Sequence, residues 1–148
     1  MDTELGIVKV IKIAAAHDVG TAINPQIVEG QIEGAVVQGI GFALNEEITY
    51  KPNGQQAHTG FSTYMLPTAE DIPEIDTIIV ESNDPTGPYG AKGAGECGII
   101  CPASAIANAV ADAIGVKVNE LPMTAERVYE LINAFGDVHK FKSLHWAV

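Results

Sequence analysis

The sequence predicts an α+β fold, with a small mixed sheet of two or three strands packed beneath glycine- and alanine-rich helices. Three observations predict it. Two runs rich in Ile and Val, Glu4 to Ala16 and Glu74 to Glu81, have the alternating or continuous apolar pattern of strands buried on at least one face. Between them, Asn24-Pro25 opens a stretch to about Leu44 that reads as a helix, with asparagine as cap and proline as first helical residue. After them, Ala103 to Ile114 is alanine-rich and closed by Gly115, which reads as a second helix.

The first strand leads into His17-Asp18-Val19-Gly20, a turn. His17 could serve as ligand or acid-base group, but no partner stands beside it, and a histidine closing a strand end is the simpler reading. In the helix that follows, Gly30 and Gly34 fall on one face at a spacing of four, which lowers helix stability yet lets a neighbour come close. Glu29, Gln31 and Glu33 exclude a membrane-packing role for that face. Glu46 to Tyr50 predicts a short strand, and Lys51-Pro52-Asn53-Gly54 a hairpin turn. Glu46 and Glu47 read as a solvated helix end, and His58 as part of a polar loop without chemistry. Phe61 to Pro67 is extended and Glu70 to Pro73 is a loop. Leu121-Pro122-Met123-Thr124 introduces a last helix, capped by Thr124 and running from Ala125 to Ala134. One domain, 1–135, is expected, followed by a tail, 136–148, that frays or docks on a partner.

The functional interest lies in Gly87-Pro88-Tyr89-Gly90-Ala91-Lys92-Gly93-Ala94-Gly95-Glu96-Cys97-Gly98. Glycine removes Cβ, so such a backbone can approach a partner closely, and Glu96 would stand just before a helix start, in a locally positive place. Gly93 to Gly98 satisfies the dinucleotide pattern literally, but the preceding strand ends near Glu81, about a dozen residues too early for that motif. The phosphate-loop pattern fails because Gly93 follows Lys92 where a hydroxyl is required. On spacing alone, a tight strand-to-helix turn stays open as an alternative.

A formal charge of −11 and a pI near 4.5 argue against nucleic acid and against an anionic membrane surface. The start, Met1-Asp2-Thr3-Glu4, lacks a signal peptide's features, and no apolar run has the uninterrupted length of a membrane span. Cys97 and Cys101 are too few for a zinc or iron-sulfur site; two reduced thiols in a cytoplasmic protein are expected, and no metal-ligand set is predicted.

Gly90-Ala91-Lys92-Gly93-Ala94-Gly95-Glu96 resembles the G-x-K-x-x-G-E segment of the molybdenum hydroxylases, the xanthine dehydrogenase and aldehyde oxidoreductase family. Asp18 to Pro25, Glu29 to Gly34 and Gln38 to Gly41 resemble a second block, and Thr63 to Pro67, Asp71 to Pro73, Pro102 to Ala109 and Glu120 to Thr124 continue the likeness, which runs from about Ile7 to Ile132. Many relatives have a proline-rich continuation after the glutamate, where this chain has Cys97-Gly98-Ile99-Ile100-Cys101.

The resemblance implies the C-terminal part of a molybdopterin-binding domain in a large molybdenum-binding subunit. It implies hydroxylation, with water, of an electron-poor carbon in a purine, an N-heterocyclic acid or an aldehyde, with Glu96 as general base. It places Gln31 near the metal and its dithiolene, and Lys92, Gly93, Ala94 and Gly95 along the pterin, in its simple or its cytosine dinucleotide form. A 2Fe-2S centre and FAD are expected on partner chains, with the remainder of the molybdenum subunit as another partner. The chain by itself is expected to hold no molybdenum and to do no chemistry. The alternatives are a non-catalytic cofactor-binding or assembly subunit, and an orphaned fragment.

Overall fold

The computed structural model describes residues 1–135. Its elements are β1 (Lys12–Asp18), α1 (Pro25–Leu44), β2 (Glu74–Val80), α2 (Pro102–Ile114) and α3 (Ala125–Phe135), with 3-10 turns at Pro88–Gly90 and Cys97–Ile99. The α+β architecture is as expected. The sheet has two of the two or three strands expected: among the described residues it consists of β1 and β2 alone, and they are parallel rather than mixed, in register from Lys12 opposite Glu74 to Asp18 opposite Val80. The tail expected at 136–148 lies outside the described residues.

Two strand expectations change for local reasons. β1 starts at Lys12 because the preceding segment folds back on itself: Asp2 bridges to Ile7, and the Asp2 carboxylate accepts from the backbone N–H groups of Glu4 (2.9 Å) and Leu5 (3.1 Å). Glu46 to Tyr50 forms only an isolated bridge, Tyr50 to Gln56, across the turn expected at Lys51 to Gly54.

α1 starts where its cap dictates. Asn24 is extended at φ −137°, its Oδ1 accepts from Ile27 N–H at 3.2 Å, and Pro25 needs no donor partner at the first position. The helix buries Ile32, Val36, Ile40 and Ala43, a stripe at helical spacing. α2 answers with Pro102, Ile106, Val110 and Ile114, and Gly115 ends it in the left-handed region (φ 71°), its N–H donating to Ala111 O at 2.9 Å. With Ala15, Met123, Val128 and Ile132, these buried residues of α1 and α2 except Pro102 form one core cluster.

The close approach expected at Gly30 and Gly34 occurs elsewhere. A Cβ on Gly39 would sit 2.6 Å from the Pro102 Cβ, so this glycine is what lets the start of α2 lie on α1. Around Gly30 and Gly34 nothing stands within 4 Å of a Cβ position, and that face is open.

α3 is capped by Thr124, whose hydroxyl oxygen accepts from Arg127 N–H at 3.3 Å. Met123 N–H donates to Ala43 O at 2.6 Å and carries the connection back to the end of α1. Glu46 and Glu47, expected to be solvated, are both engaged. Glu46 accepts from the Tyr64 hydroxyl at 2.9 Å, which holds the phenol's proton and raises its pKa. Glu47 pairs with Arg127 at 2.8 Å, and that guanidinium also meets Glu120 at 3.3 Å and Pro122 O at 2.9 Å.

Cys97–Ile114 is, by composition and an 18-residue length, apolar enough to cross a membrane, which differs from the expectation. In the fold a 3-10 turn and Pro102 interrupt it, leaving a 13-residue helix, short of the ~20 residues a span needs.

Candidate cofactor site

Because β1 and β2 are parallel, the chain leaves both at the same edge of the sheet. Ligands of open α/β layers bind beyond that carboxyl edge, where connecting loops meet. Here the loops are 19–24 after β1 and 81–101 after β2, and they are joined by backbone hydrogen bonds. Val19 N–H donates to Val80 O (3.0 Å), Asn83 N–H to Gly20 O (3.1 Å) and Lys92 N–H to Val19 O (2.8 Å). Asp84 N–H donates to Gly90 O at 2.9 Å, and Ala22 N–H to the Glu81 carboxylate at 2.7 Å.

Asp18, the last residue of β1, is the hub. Its Oδ1 accepts from Gly20 N–H and from the Ser82 hydroxyl, both at 2.9 Å, and its Oδ2 accepts from Lys92 Nζ at 2.7 Å. The Lys92 ammonium, then the Gly20 N–H and the Ser82 hydroxyl, hold the Asp18 carboxyl well below the usual carboxylate range. Gly20 has φ 70°, and a Cβ there would collide with the Gly90 carbonyl and lie 2.9 Å from Lys92 N. Only glycine allows both that turn and that contact.

Two non-glycine residues in the second loop share the left-handed region, Asn83 (φ 52°) and Tyr89 (φ 55°). Strain of this kind persists when surrounding structure over-determines it. Here the Asn83 and Asp84 N–H bonds supply that constraint. The Tyr89 side chain is 89% exposed.

From Lys92 the chain crosses to α1. Gly93 and Gly95 have nothing within 4 Å of a Cβ position, Ala94 is half-buried, and Glu96 is exposed, its side chain making no capping hydrogen bond. Glu96 precedes a 3-10 turn of three residues, Cys97–Ile99, and not a helix proper, since α2 starts only at Pro102. The positive helix end expected beside it is therefore absent, because the Cys97–Ile99 turn is too short to sum peptide dipoles. Gly98 is buried: a Cβ there would lie 2.7 Å from the Ala35 Cβ and 3.5 Å from Ile32 Cα. This lands the far end of the loop on the turn of α1 next to Gln31, whose side chain is exposed.

The fold thus runs Lys92, Gly93, Ala94, Gly95 and Glu96 along one irregular segment, whose continuation at Gly98 seats on Ile32, the neighbour of Gln31 in α1. It does not bring His17 or His58 there. His17 is half-buried within β1, opposite Ile79, and His58 Nδ1 is buried without a hydrogen-bond partner. Cys97 is half-buried and Cys101 exposed, both free. Two recesses lie away from Glu96: a cavity of about 360 Å³ lined by Met123, Arg127, Val128 and Leu131, and an open groove of about 520 Å³ lined by Gly30, Gly34, Val37 and Ile72. Sequence reasoning missed Asp18 as a site residue. The signal was an aspartate two positions before a glycine, the pattern of an Asx turn.

Residues 1–73 match the family model described as the molybdopterin cofactor-binding domain. The chain is 42% identical over 132 residues to the 6-hydroxypseudooxynicotine dehydrogenase complex subunit gamma of Paenarthrobacter nicotinovorans, covering 87% of this chain and 17% of that one. It is 40% identical over 137 residues to a putative xanthine dehydrogenase molybdenum-binding subunit of Escherichia coli, covering 92% of this chain and 18% of that one. Among solved structures, quinoline 2-oxidoreductase from Pseudomonas putida 86 superposes with a TM-score of 0.80 at 38% identity, over 85% of this chain and 16% of that one. The aldehyde oxidoreductase from Desulfovibrio gigas superposes with a TM-score of 0.80 at 33% identity, over 90% of this chain and 14% of that one.

Fold and matches together place the chain with the molybdopterin cofactor-binding domains. The chain belongs to the molybdenum hydroxylases, the xanthine dehydrogenase and aldehyde oxidoreductase family, and matches part of their molybdenum-binding subunits. It spans about one sixth of the length of the first relatives it matches, 17% and 18%. Gly93 and Gly95, beyond the matched residues 1–73, have nothing within 4 Å of a Cβ position, which is the kind of room that a bulky pterin requires.

Proposed function

We propose that this chain supplies the base-bearing loop and one wall of the cofactor site in a molybdenum hydroxylase. The enzyme would hydroxylate an electron-poor carbon of an N-heterocycle or an aldehyde, with water as the oxygen source. The remainder of the molybdenum subunit and chains carrying 2Fe-2S and FAD complete the enzyme. The molybdenum-pterin group, in its simple or cytosine dinucleotide form, supplies the redox chemistry when bound.

This chain's own residues do three things. The backbone from Lys92 to Gly95 lies along the cofactor, its glycines allowing close approach. Gln31 offers an amide that can donate and accept, and orients the group from the α1 side. Glu96 takes a proton on a carboxylate oxygen as general base, an effect typically worth ~10²–10⁴ in rate. The observation that carries the reading is this irregular segment: glycines at 93 and 95 with nothing within 4 Å of a Cβ position, and at its end an exposed carboxylate not used as a cap.

In the assembled enzyme, Glu96→Gln is expected to lower kcat/KM by ~10²–10⁴ with molybdenum content unchanged. Unchanged turnover would sink the base assignment and favour a non-catalytic, cofactor-holding subunit. The chain purified without its partners is expected to retain no molybdenum, and a stoichiometric metal by elemental analysis would contradict that.

A further inference from the structure

We propose that Asp18 and Lys92 form a positioning clamp that decides where Glu96 stands. The catalytic consequence rests on the reading of Glu96 as base, while the clamp itself is a statement about this chain's loop and can be tested apart from it.

Three observations carry the inference. First, Lys92 is fastened to the end of β1 twice, by its N–H to Val19 O at 2.8 Å and by its Nζ to Asp18 Oδ2 at 2.7 Å. Second, the same Asp18 carboxylate holds Gly20 N–H and the Ser82 hydroxyl, so one side chain ties together the exit of β1, the exit of β2 and the glycine loop. Third, Gly93 and Gly95 beyond Lys92 have nothing within 4 Å of a Cβ position and only Ala94 and Cys97 are half-buried, until Gly98 seats on Ile32 and Ala35 of α1.

Gly98 is six positions beyond Lys92, and six residues could reach about 20 Å if extended. One anchor therefore leaves the carboxylate of Glu96 a wide range of positions. Two anchors do not. Glycine has the most backbone freedom to lose, so the fastening at Lys92 must offset that loss for the segment between. The Asp18 and Lys92 side chains are 38% and 35% exposed, and a pair so open to water adds little to global stability. Its effect is local geometry.

The pairing also changes how Lys92 is read. Its ammonium is held by Asp18 and its N–H by Val19 O, so it is the carbonyl of Lys92 that remains for the cofactor.

The test uses the full chain assembled with the rest of its enzyme, followed by peptide-resolved hydrogen exchange. Lys92→Met and Asp18→Asn are each expected to speed exchange of the residue 83 and 92 amides, which donate to Gly20 O and Val19 O, about tenfold, while the α1 and α2 amides and the melting temperature stay as they were. The double variant should be no worse than Asp18→Asn alone, because Lys92→Met removes an interaction that Asp18→Asn has already removed. Lys92→Arg should restore slow exchange. Turnover by the two loosened variants should fall in kcat more than it rises in KM.

Asp18→Asn leaves every atom of Lys92 in place, so loosening by that substitution separates a clamp from a cofactor ligand. Exchange at residues 83 and 92 that stays slow in both single variants, or effects that add in the double variant, would overturn the proposal. Faster exchange spread equally over α1 and α2 would overturn it too, since that marks global destabilisation. Unchanged turnover in Glu96→Gln defeats the base reading alone, because the exchange measurement judges the clamp without it.

Discussion

The helical side of the molecule and the loop layer at the carboxyl edge of the sheet are held together by different physics. Between α1, α2 and α3 the contacts are apolar and water-free: Ile32, Val36, Ile114 and Val128 are at most 1% exposed. At the loop edge nearly every fastening is a hydrogen bond or an ion pair. Asp18, Ser82, Lys92 and Glu81 all remain exposed to water there. A core of the first kind sets overall stability, since burial is roughly proportional to area and indifferent to direction. A layer of the second kind contributes little to stability but is directional, and direction is what a base or a cofactor contact requires. The contrast teaches that stability and site geometry should be separable by substitution.

The largest effect should come from the core. Ile114→Ala is expected to destabilise the fold by about 2–5 kcal/mol, read by chemical denaturation, because it removes a buried side chain and leaves a cavity. A loss below about 1 kcal/mol would mean that the α1–α2 seam is looser than its burial says.

Gly20→Ala comes next and probes the border of the two regions. The left-handed φ and the collision with the Gly90 carbonyl should together cost about 1–3 kcal/mol and displace the 90–92 segment, visible as faster exchange there. Asn24→Ala, which removes the α1 cap, should cost ~1 kcal/mol without disturbing the loop edge.

The smallest effect sharpens the comparison through pH. The Asp18 carboxyl is depressed in the folded state, so its contribution is present above the unfolded value of about 3.9 and is lost as pH falls through the lower folded value. Order in the 90–92 segment is therefore expected to persist at pH 5 and to fail only well below pH 4, while the apolar seam responds much less. Loosening of the loop between pH 5 and 7 would break that assignment.

Legibility followed the same divide. Asn24, Pro25, Gly115 and Thr124 mark helix ends in the sequence, and the helices begin and end there, because a cap involves residues three or four positions apart. The resemblance carried by Lys92 to Glu96 and by Asp18 to Pro25 located the loop and the family. What could not be read was which glycine allows the close approach. Gly30 and Gly34 look like contact positions but face open space, while Gly39 and Gly98 make the contacts, on Pro102 and Ala35. Glycine spacing within a helix is symmetric with respect to partner; only the position of the partner breaks the tie.

By itself the sequence determined the helices, their caps, the second strand and the loop with its single carboxylate, since each depends on neighbours within a turn or on a short motif. The tertiary structure alone decided that Asp18 reaches Lys92 across 74 positions and that Gly98 lies on α1. Those contacts form only after the parallel strands have brought two distant loops to one edge, and no local preference encodes that meeting.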